Sequence, residues 1–382
     1  MTIPTTEDRT ISLNQSLSNG PSGVALLHIE RALAGHTSWS EAHSHVREAA
    51  AGSIDGGDHT GLYYGAPAMA FVLHTANEDG RSRYLQALAV LDKHVTRVTR
   101  RRLAVAERRI EANEHTLFHE YDLFYGLVGL GTLLLARRPN SETFADVLSH
   151  LVRLSRPRLH DGVELPGWWV AHDPDPLLPT PGGHANLGMA HGAAGILALL
   201  ALAADRGHVV DGQREAIEQL LTWFDTWRQE SSDGPWWPQW ITRPALRARR
   251  PDQAAPGRPS WCYGGIGIAR ALQLAAIAVD DSARQHSAEQ ALLASLAKSN
   301  LARINDPGLC HGMAGIYQTV HRAACDSTDP ALRRRLPALA EDLGRLACAT
   351  VHRDDGLLTG RAGVELALET ARQTAPPRSG WA

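Results

Sequence analysis

A short glycine motif recurs along the chain and constrains its fold more than any other feature. In every copy two residues precede an anchor glycine, and a second small residue stands three positions after that glycine. The six copies are YYGAPA (63–68), FYGLVG (124–129), AHGAAG (190–195), CYGGIG (262–267), CHGMAG (310–315) and LTGRAG (358–363). Such repetition predicts a fold assembled from equivalent units that pack against their neighbours.

An apolar segment follows every motif, and amphipathic segments that carry charge lie between the motifs. The apolar segments, such as ILALLALAA after the third motif, are hydrophobic nearly all round, which is typical of helices buried on both sides. A glycine at the start of such a helix permits a tight turn and a close backbone approach. The amphipathic segments predict solvent-facing helices near 24–34, 82–109, 142–155, 213–229, 283–302 and 331–351.

Pairing each outer helix with an inner one predicts an all-α fold, an α/α toroid in which the helices form a double ring. An open solenoid is the structural alternative, but it would leave the apolar inner helices facing a groove. The chain has 382 residues, whereas a single compact hydrophobic core usually stops growing at roughly 250–300 residues. A chain of this length is therefore long enough to form a large ring. We expect a tail at 1–20, a single toroid domain at 21–372 and a second tail at 373–382.

Composition and charge exclude several classes of protein. Hydrophobic residues make up 43% of the chain and charged residues 21%, as in folded proteins rather than disordered ones. The net charge of −3 gives no global attraction to nucleic acid, and no phosphate-binding or dinucleotide-binding loop is found. No apolar run has the length of a membrane span, and the N-terminal sequence lacks the pattern of a secretory signal. We therefore expect a cytoplasmic protein without an integral membrane segment or a nucleic-acid partner.

Two of the four cysteines occupy the same position in successive motifs. Cys262 and Cys310 each stand two residues before the anchor glycine, and His311 follows Cys310. Two thiolates and one imidazole are a ligand set that suits Zn²⁺, and three protein ligands leave one coordination position open, as in catalytic zinc sites. Cysteines without such a pattern are more often core residues, as we expect for Cys325 and Cys348, which lie outside the motifs. The equivalent placement of Cys262 and Cys310 favours a metal site instead.

Several other polar residues stand close to the motifs. His191 has the same place in the third motif as His311 in the fifth, so it is a candidate general acid or base. Asp122 lies four residues before an anchor glycine, and Arg258 lies four residues before Cys262. Spacing alone leaves open whether Asp122 and Arg258 reach the mouth of the ring or are surface and capping groups.

The remaining histidines are weaker candidates for chemistry. His115 and His119 are spaced i, i+4, but the order of residues is not that of a metalloprotease helix, HExxH. His160, His172 and His184 lie in a segment rich in proline and glycine, where we expect solvated side chains.

The motifs GMAHGAAG (188–195), WCYGGIG (261–267) and CHGMAG (310–315), in that order, resemble those of the lanthionine synthetase C-like proteins, the cyclases of lanthipeptide biosynthesis. The repeat pattern extends this resemblance over residues 61–368. It implies an α/α toroid with seven helices in each layer. One hairpin beyond the six motifs is then expected in the longer gaps or near 38–60.

The resemblance also implies roles for individual residues. It implies that Cys262, Cys310 and His311 bind zinc, in agreement with the spacing of the motifs. It implies further active-site roles for four residues, none of which departs from the family pattern: His191, Asp122, Arg258 and Tyr263.

The reaction implied is the Michael-type addition of a peptide cysteine thiol to dehydroalanine or dehydrobutyrine, which forms a (methyl)lanthionine thioether ring. Zinc would activate the thiol, His191 would protonate the α-carbon, Asp122 would orient His191, and Arg258 with Tyr263 would stabilise the enolate. The implied substrate is a dehydrated precursor peptide with its leader, and a separate dehydratase is a candidate partner.

Three alternatives remain open at the level of sequence. The same zinc chemistry could add glutathione or another thiol to dehydroamino-acid residues, as some relatives do. The chain could also be a peptide-binding scaffold without turnover, although a scaffold has no need of an open zinc position. A zinc hydrolase is disfavoured because the expected carboxylate beside the metal is missing.

Overall fold

The computed structural model describes residues 15–174, 177, 179–352 and 354–372. In these ranges the helices are α1 (Pro21–Leu33), α2 (Trp39–Ala49), α3 (Ala66–Thr75), α4 (Leu85–Glu111), α5 (Phe118–Tyr121), α6 (Leu127–Arg137), α7 (Glu142–Ser155), α8 (Ala193–Asp205), α9 (Gln213–Trp227), α10 (Arg243–Ala248), α11 (Gly265–Ala278), α12 (Ser282–Ser295), α13 (Lys298–Leu301), α14 (Met313–Asp326), α15 (Ala331–Ala349) and α16 (Arg361–Arg372). Six short strands pair into three antiparallel two-stranded sheets: β1 (Arg158–His160) with β2 (Val163–Leu165), β3 (His184–Asn186) with β6 (Trp240–Thr242), and β4 (Gln229–Ser231) with β5 (Gly234–Trp236). No helix in the described ranges combines the length and apolarity needed to cross a bilayer.

The described residues divide into two compact units. Unit 1 takes in the described residues within 1–98, 305–325 and 333–382, and unit 2 those within 99–304 and 326–332. Of the two predicted tails, residues 1–14 and 373–382 lie outside the described ranges. Leu17, which falls in the first predicted tail, is buried, and its N–H donates to the carbonyl of Tyr63 at 2.9 Å.

A seventh glycine motif precedes α1. Gly20 is the N-cap of this helix, Pro21 follows it, and Gly23 stands three positions after Gly20, as the second glycine does in the other motifs. In unit 1, α1 packs against α3, which follows the YYGAPA motif, and against α16, which follows the LTGRAG motif. The prediction of an outer helix near 24–34 was therefore wrong, because this segment is an inner helix and its outer partner is α2.

In several motifs the second small residue must be glycine because the backbone approaches it closely. A Cβ atom placed on Gly267 would lie 2.0 Å from the carbonyl oxygen of Trp261, and one on Gly23 would lie 2.7 Å from that of Leu17. Real Cβ atoms essentially never come so close to another atom. In both cases the oxygen belongs to the residue six positions earlier, so the two loops fold in the same way.

Backbone hydrogen bonds link equivalent positions of neighbouring motif loops inside each unit. In unit 2 the N–H of Ala190 donates to the carbonyl of Cys262 at 3.1 Å. In unit 1 the N–H of Cys310 donates to Leu358 at 2.9 Å, and the N–H of Leu358 donates to Ser18 at 2.8 Å. All five residues stand two positions before an anchor glycine. The repeat seen in the sequence is thus a structural repeat, in which Cys262 and Cys310 hold the same position.

Candidate active site and metal ligands

Asp122 and His191 form a buried acid–histidine pair in unit 2. Asp122 is 1% exposed, and its Oδ1 accepts the N–H groups of Tyr125 at 2.7 Å and Gly126 at 2.8 Å. Its Oδ2 lies 2.5 Å from Nδ1 of His191. The backbone N–H groups hold the carboxylate in place, and the carboxylate holds the imidazole of His191 through Nδ1. Nε2 is therefore the nitrogen that can exchange a proton with a substrate.

Two phenyl rings hold the imidazole of His191 between them. Phe118 and Phe124 stack on it with ring centroids at 5.0 and 5.1 Å and interplanar angles of 21° and 24°. The hydroxyl of Tyr121 donates to the carbonyl oxygen of His191 at 3.0 Å. Burial, together with the Asp122 carboxylate, raises the pKa of Tyr121, so this hydroxyl keeps its proton and its hydrogen bond.

The loop that carries Cys262 lies directly against the loop that carries His191. Ala190, the residue before His191, donates to the carbonyl of Cys262, and the rings of Tyr263 and His191 are 5.8 Å apart between centroids. A Cβ on Gly188 would lie 2.6 Å from the carbonyl oxygen of Cys262 and 3.0 Å from Cδ1 of Tyr263, so only glycine permits this approach.

The Cys262 side chain is buried at 4% exposure and faces a hydroxyl. Its Sγ lies 3.6 Å from Oγ of Ser260, which also accepts the N–H of Tyr263 at 3.4 Å. Ser260 thereby supports the conformation of this loop. The Cys262 thiol is the donor in the contact to Ser260, so Ser260 holds the sulfur in place as well.

Arg258 stands in the same loop, but its side chain is exposed. Its carbonyl accepts the N–H of Ser260 at 2.8 Å. Within the described part of the chain, its guanidinium forms no hydrogen bond or ion pair. The structure therefore joins Asp122, His191 and Tyr263 through contacts, and it leaves Arg258 without a contact to any of them.

Cys310 and His311 belong to a motif loop of unit 1. The loop is stabilised by Asp306, whose Oδ1 accepts the N–H of Gly308 at 2.6 Å and whose carbonyl accepts the N–H of Met313 at 2.9 Å. Oδ2 of Asp306 lies 3.6 Å from Nε2 of His311. Histidines that bind metals commonly face a carboxylate with the second ring nitrogen, so this arrangement suits a metal ligand at Nδ1.

A buried tyrosine hydroxyl belongs to the surroundings of Cys310. Burial is the main cause that raises the pKa of Tyr63, and the neighbouring Cys310 and Tyr64 add to it. Tyr63 therefore stays protonated and can donate a hydrogen bond near the thiol. Tyr63 and Cys310 both stand two residues before an anchor glycine, in the first and fifth motifs.

The structure corrects the expectation for two of the histidines in the proline-rich and glycine-rich segment. His184 is fully buried on β3, and burial lowers its pKa to about 4, while its Nδ1 lies 3.0 Å from the carbonyl oxygen of His172. His160 is also buried and stacks on His115 at 4.2 Å between centroids. His172 is exposed, as expected, and both His172 and His184 pack edge-on against Phe118, the ring that supports His191.

Sequence reasoning missed four residues that shape the candidate site. They act through packing or hydrogen bonds to the predicted residues: Phe118, Tyr121, His184 and Asp306. Asp306 had a detectable signal, because an Asx residue stands six positions before the anchor glycine in three of the six motifs recognised from the sequence. Each of these side chains accepts the N–H two residues on: Asn186 from Gly188, Asp306 from Gly308 and Asp354 from Gly356.

Comparisons with known proteins identify the family and the fold of this chain. The family description "Lanthionine synthetase C-like protein" matches residues 11–378. The nisin biosynthesis protein NisC of Lactococcus lactis subsp. lactis is 23% identical over 265 residues, which are 67% of this chain and 60% of that protein. The chain thus matches about three fifths of the length of this relative.

The solved structure of nisin cyclase superposes with a TM-score of 0.82 over 98% of this chain and 92% of that chain, at 20% sequence identity. At this identity the likeness shows the fold, which is an α/α toroid, and the predicted fold class is confirmed. The family match spans nearly the whole sequence, motif loops included. The chain belongs to the lanthionine synthetase C-like protein family.

Proposed function

We propose that this protein is a zinc-dependent lanthipeptide cyclase. It adds the cysteine thiol of a dehydrated precursor peptide to a dehydroalanine or dehydrobutyrine of the same peptide and so forms a thioether ring. The observation that carries the proposal is the pair of Asp122 and His191, because the loop of His191 is hydrogen bonded to the loop of Cys262. Membership of the family supports the same reaction.

The proposed zinc ligands are Cys262, Cys310 and His311. Two features support this set. The cysteines hold equivalent positions of two motif loops, and Asp306 faces one ring nitrogen of His311. Two thiolates and an imidazole are the donor chemistry of a zinc site with one position left for a substrate. When bound, zinc lowers the pKa of a coordinated thiol and makes it a thiolate at neutral pH.

His191 is the proposed proton donor. A new bond joins the thiol sulfur to the β-carbon of the dehydro residue, the carbon–carbon double bond is lost, and the α-carbon takes a proton. Asp122 keeps Nδ1 of His191 occupied, so that Nε2 delivers this proton. The two flanking phenyl rings restrict the tilt of the imidazole, which keeps Nε2 aimed in one direction.

The enolate that precedes protonation carries negative charge and needs donors nearby. Tyr263 is the proposed donor, since its ring lies beside His191. Arg258 is proposed to assist, because an exposed arginine in the loop before Cys262 is available to approach a bound peptide.

The test uses a synthetic peptide that contains one dehydroalanine and one cysteine, with a reaction lacking enzyme as background. Cyclisation removes a free thiol without changing the peptide mass. We expect wild type and the control His286→Gln, an exposed position on α12, to consume the thiol, and His191→Ala to retain zinc but lose at least about 100-fold in rate. Full activity of His191→Ala would contradict the assigned role.

The same assay with added glutathione separates the alternatives. A cyclase gives a product of unchanged mass, whereas addition of an external thiol gives a product heavier by one glutathione. Formation of only the heavier product would replace the cyclase proposal by a thiol-adding enzyme, and no reaction with either thiol would favour a scaffold.

A further inference from the structure

Three potential metal ligands converge where α1 packs against α2. His28 lies on α1, and Glu41 and His45 lie on α2, so all three belong to unit 1. Nδ1 of His28 lies 3.1 Å from Oε1 of Glu41, and the rings of His28 and His45 stack at 3.8 Å between centroids. One ligand atom from each residue lies within 4.8 Å of both others.

The sequence explains why these side chains meet. Glu41 and His45 are four residues apart, so they share one face of α2. Ala42 and Val46 on the same helix are buried, which fixes the orientation of α2. A loop of only a few residues joins the two helices, and His28 sits at the level of the Glu41–His45 face.

One ring nitrogen of this cluster, Nδ1 of His28, lacks a well-directed hydrogen bond. Nδ1 of His28 is buried and has no partner with hydrogen-bond geometry among the described residues, although Glu41 Oε1 is only 3.1 Å away. The ligand atoms of His28, Glu41 and His45 are close enough to one another to share one ion. A buried imidazole nitrogen without a partner is also costly, which a bound cation would relieve.

The chemistry of the three groups selects the kind of cation. Imidazole nitrogens suit zinc, nickel, copper and cobalt, whereas magnesium and calcium favour all-oxygen sites. Burial lowers the pKa of His28, which favours the neutral ring that can bind a metal. Glu48 lies 3.6 Å from Nδ1 of His45 and can orient that ring from outside.

We propose that His28, Glu41 and His45 form a second metal site that binds a divalent first-row transition ion such as Zn²⁺. The site contains no thiol and uses residues of α1 and α2 only, so it is independent of the zinc proposed for catalysis. The bound ion ties α2 to α1, the inner helix that follows the seventh motif.

The test counts zinc bound to the full-length protein after dialysis against low micromolar free zinc. We expect His45→Gln to bind one zinc fewer than wild type, and Glu41→Gln to bind that zinc at least tenfold more weakly. His43→Gln is the matched control, because His43 lies on the same helix and contacts Tyr84 instead of the cluster. It should bind as much zinc as wild type.

A second readout uses thermal unfolding with and without zinc. We expect zinc to raise the unfolding midpoint of wild type and His43→Gln by several degrees more than that of His45→Gln. Equal zinc content and equal zinc-induced shifts in wild type and His45→Gln would overturn the proposal. If His45→Gln does not fold, Glu41→Gln decides, since the Glu41 side chain is about half exposed. Unchanged zinc affinity in that variant would likewise overturn the proposal.

Discussion

Nδ1 of His191 lies 2.5 Å from Oδ2 of Asp122, although 69 residues separate them in the sequence. Two motif loops bring them together, and each loop begins a buried inner helix. The carboxylate is held by two backbone N–H groups and the imidazole by two phenyl rings, so neither partner depends on solvent for its position. Such a rigid pair is suited to repeated proton transfer.

Replacing Asp122 by asparagine should lower the cyclisation rate by about 100-fold or more at unchanged zinc content. The asparagine amide is similar in shape to the carboxylate but carries no charge. It therefore accepts the Nδ1 proton of His191 and the backbone N–H groups less strongly than the carboxylate does. Rates with the synthetic dehydroalanine peptide, together with metal analysis, check this. A variant with normal turnover would show that Asp122 only supports the loop before α6.

Gly188→Ala should destabilise the protein by about 1–3 kcal/mol and reduce cyclisation, because the added methyl group would force the Cys262 loop away from the His191 loop. Gly344→Ala is the matched control. Its Cβ would meet no atom within 4 Å in the middle of α15, so it should raise stability by about 0.5–1 kcal/mol. Urea unfolding of both variants measures these changes. Equal effects would contradict the close approach at Gly188.

His150 should make the stability of the protein depend on pH. It is buried on α7, neither ring nitrogen has a hydrogen-bond partner in the described ranges, and burial lowers its pKa from 6.5 to about 4. Between these two pH values the unfolded chain binds a proton that the folded chain does not, so the free energy of unfolding falls as the pH falls. Between pH 7 and pH 5, the free energy of unfolding of His150→Gln should therefore fall by about 1–2 kcal/mol less than that of wild type.

Urea unfolding at the two pH values checks this prediction. His286→Gln, at an exposed position, should show the same pH dependence as wild type. Identical losses in wild type and His150→Gln would mean that the buried imidazole does not titrate differently in the two states.

The glycine repeat made most of the fold predictable. A close backbone approach admits only small residues three positions after each anchor glycine, so the repeat is visible in the sequence. The seventh motif escaped recognition for a physical reason. The segment after Gly20 carries His28, Glu30 and Arg31, so it has the pattern of an outer helix. In the structure Arg31 is satisfied by Glu365 and Glu369 of α16, at 2.6 and 2.5 Å, partners that lie more than 330 residues away.

The candidate site was predictable only where reactive side chains occupy equivalent positions in two or more motifs. Cysteine and histidine positions could be compared between copies, which singled out Cys262, Cys310 and His191. Phe118, one of the two rings that hold His191, could not be found in this way, because it lies on a short helix outside any motif. The other ring, Phe124, stands in the second motif at the position that Cys262 has in its own motif. His184 was misjudged because a segment rich in proline and glycine usually lies in solvent, whereas here β3 is fully buried.

The central claim is that Cys262 is a zinc ligand of a thioether-forming enzyme. The most direct measurement is zinc stoichiometry with thiol consumption of the dehydroalanine peptide on the same samples of wild type, Cys262→Ala and Cys325→Ala. We predict that Cys262→Ala loses one equivalent of zinc together with cyclisation, and that Cys325→Ala retains both. The expectation of a core position for Cys325 and Cys348 was wrong, because both side chains are exposed, which makes Cys325 a suitable control. Unchanged zinc content and unchanged thiol consumption in Cys262→Ala would contradict the account.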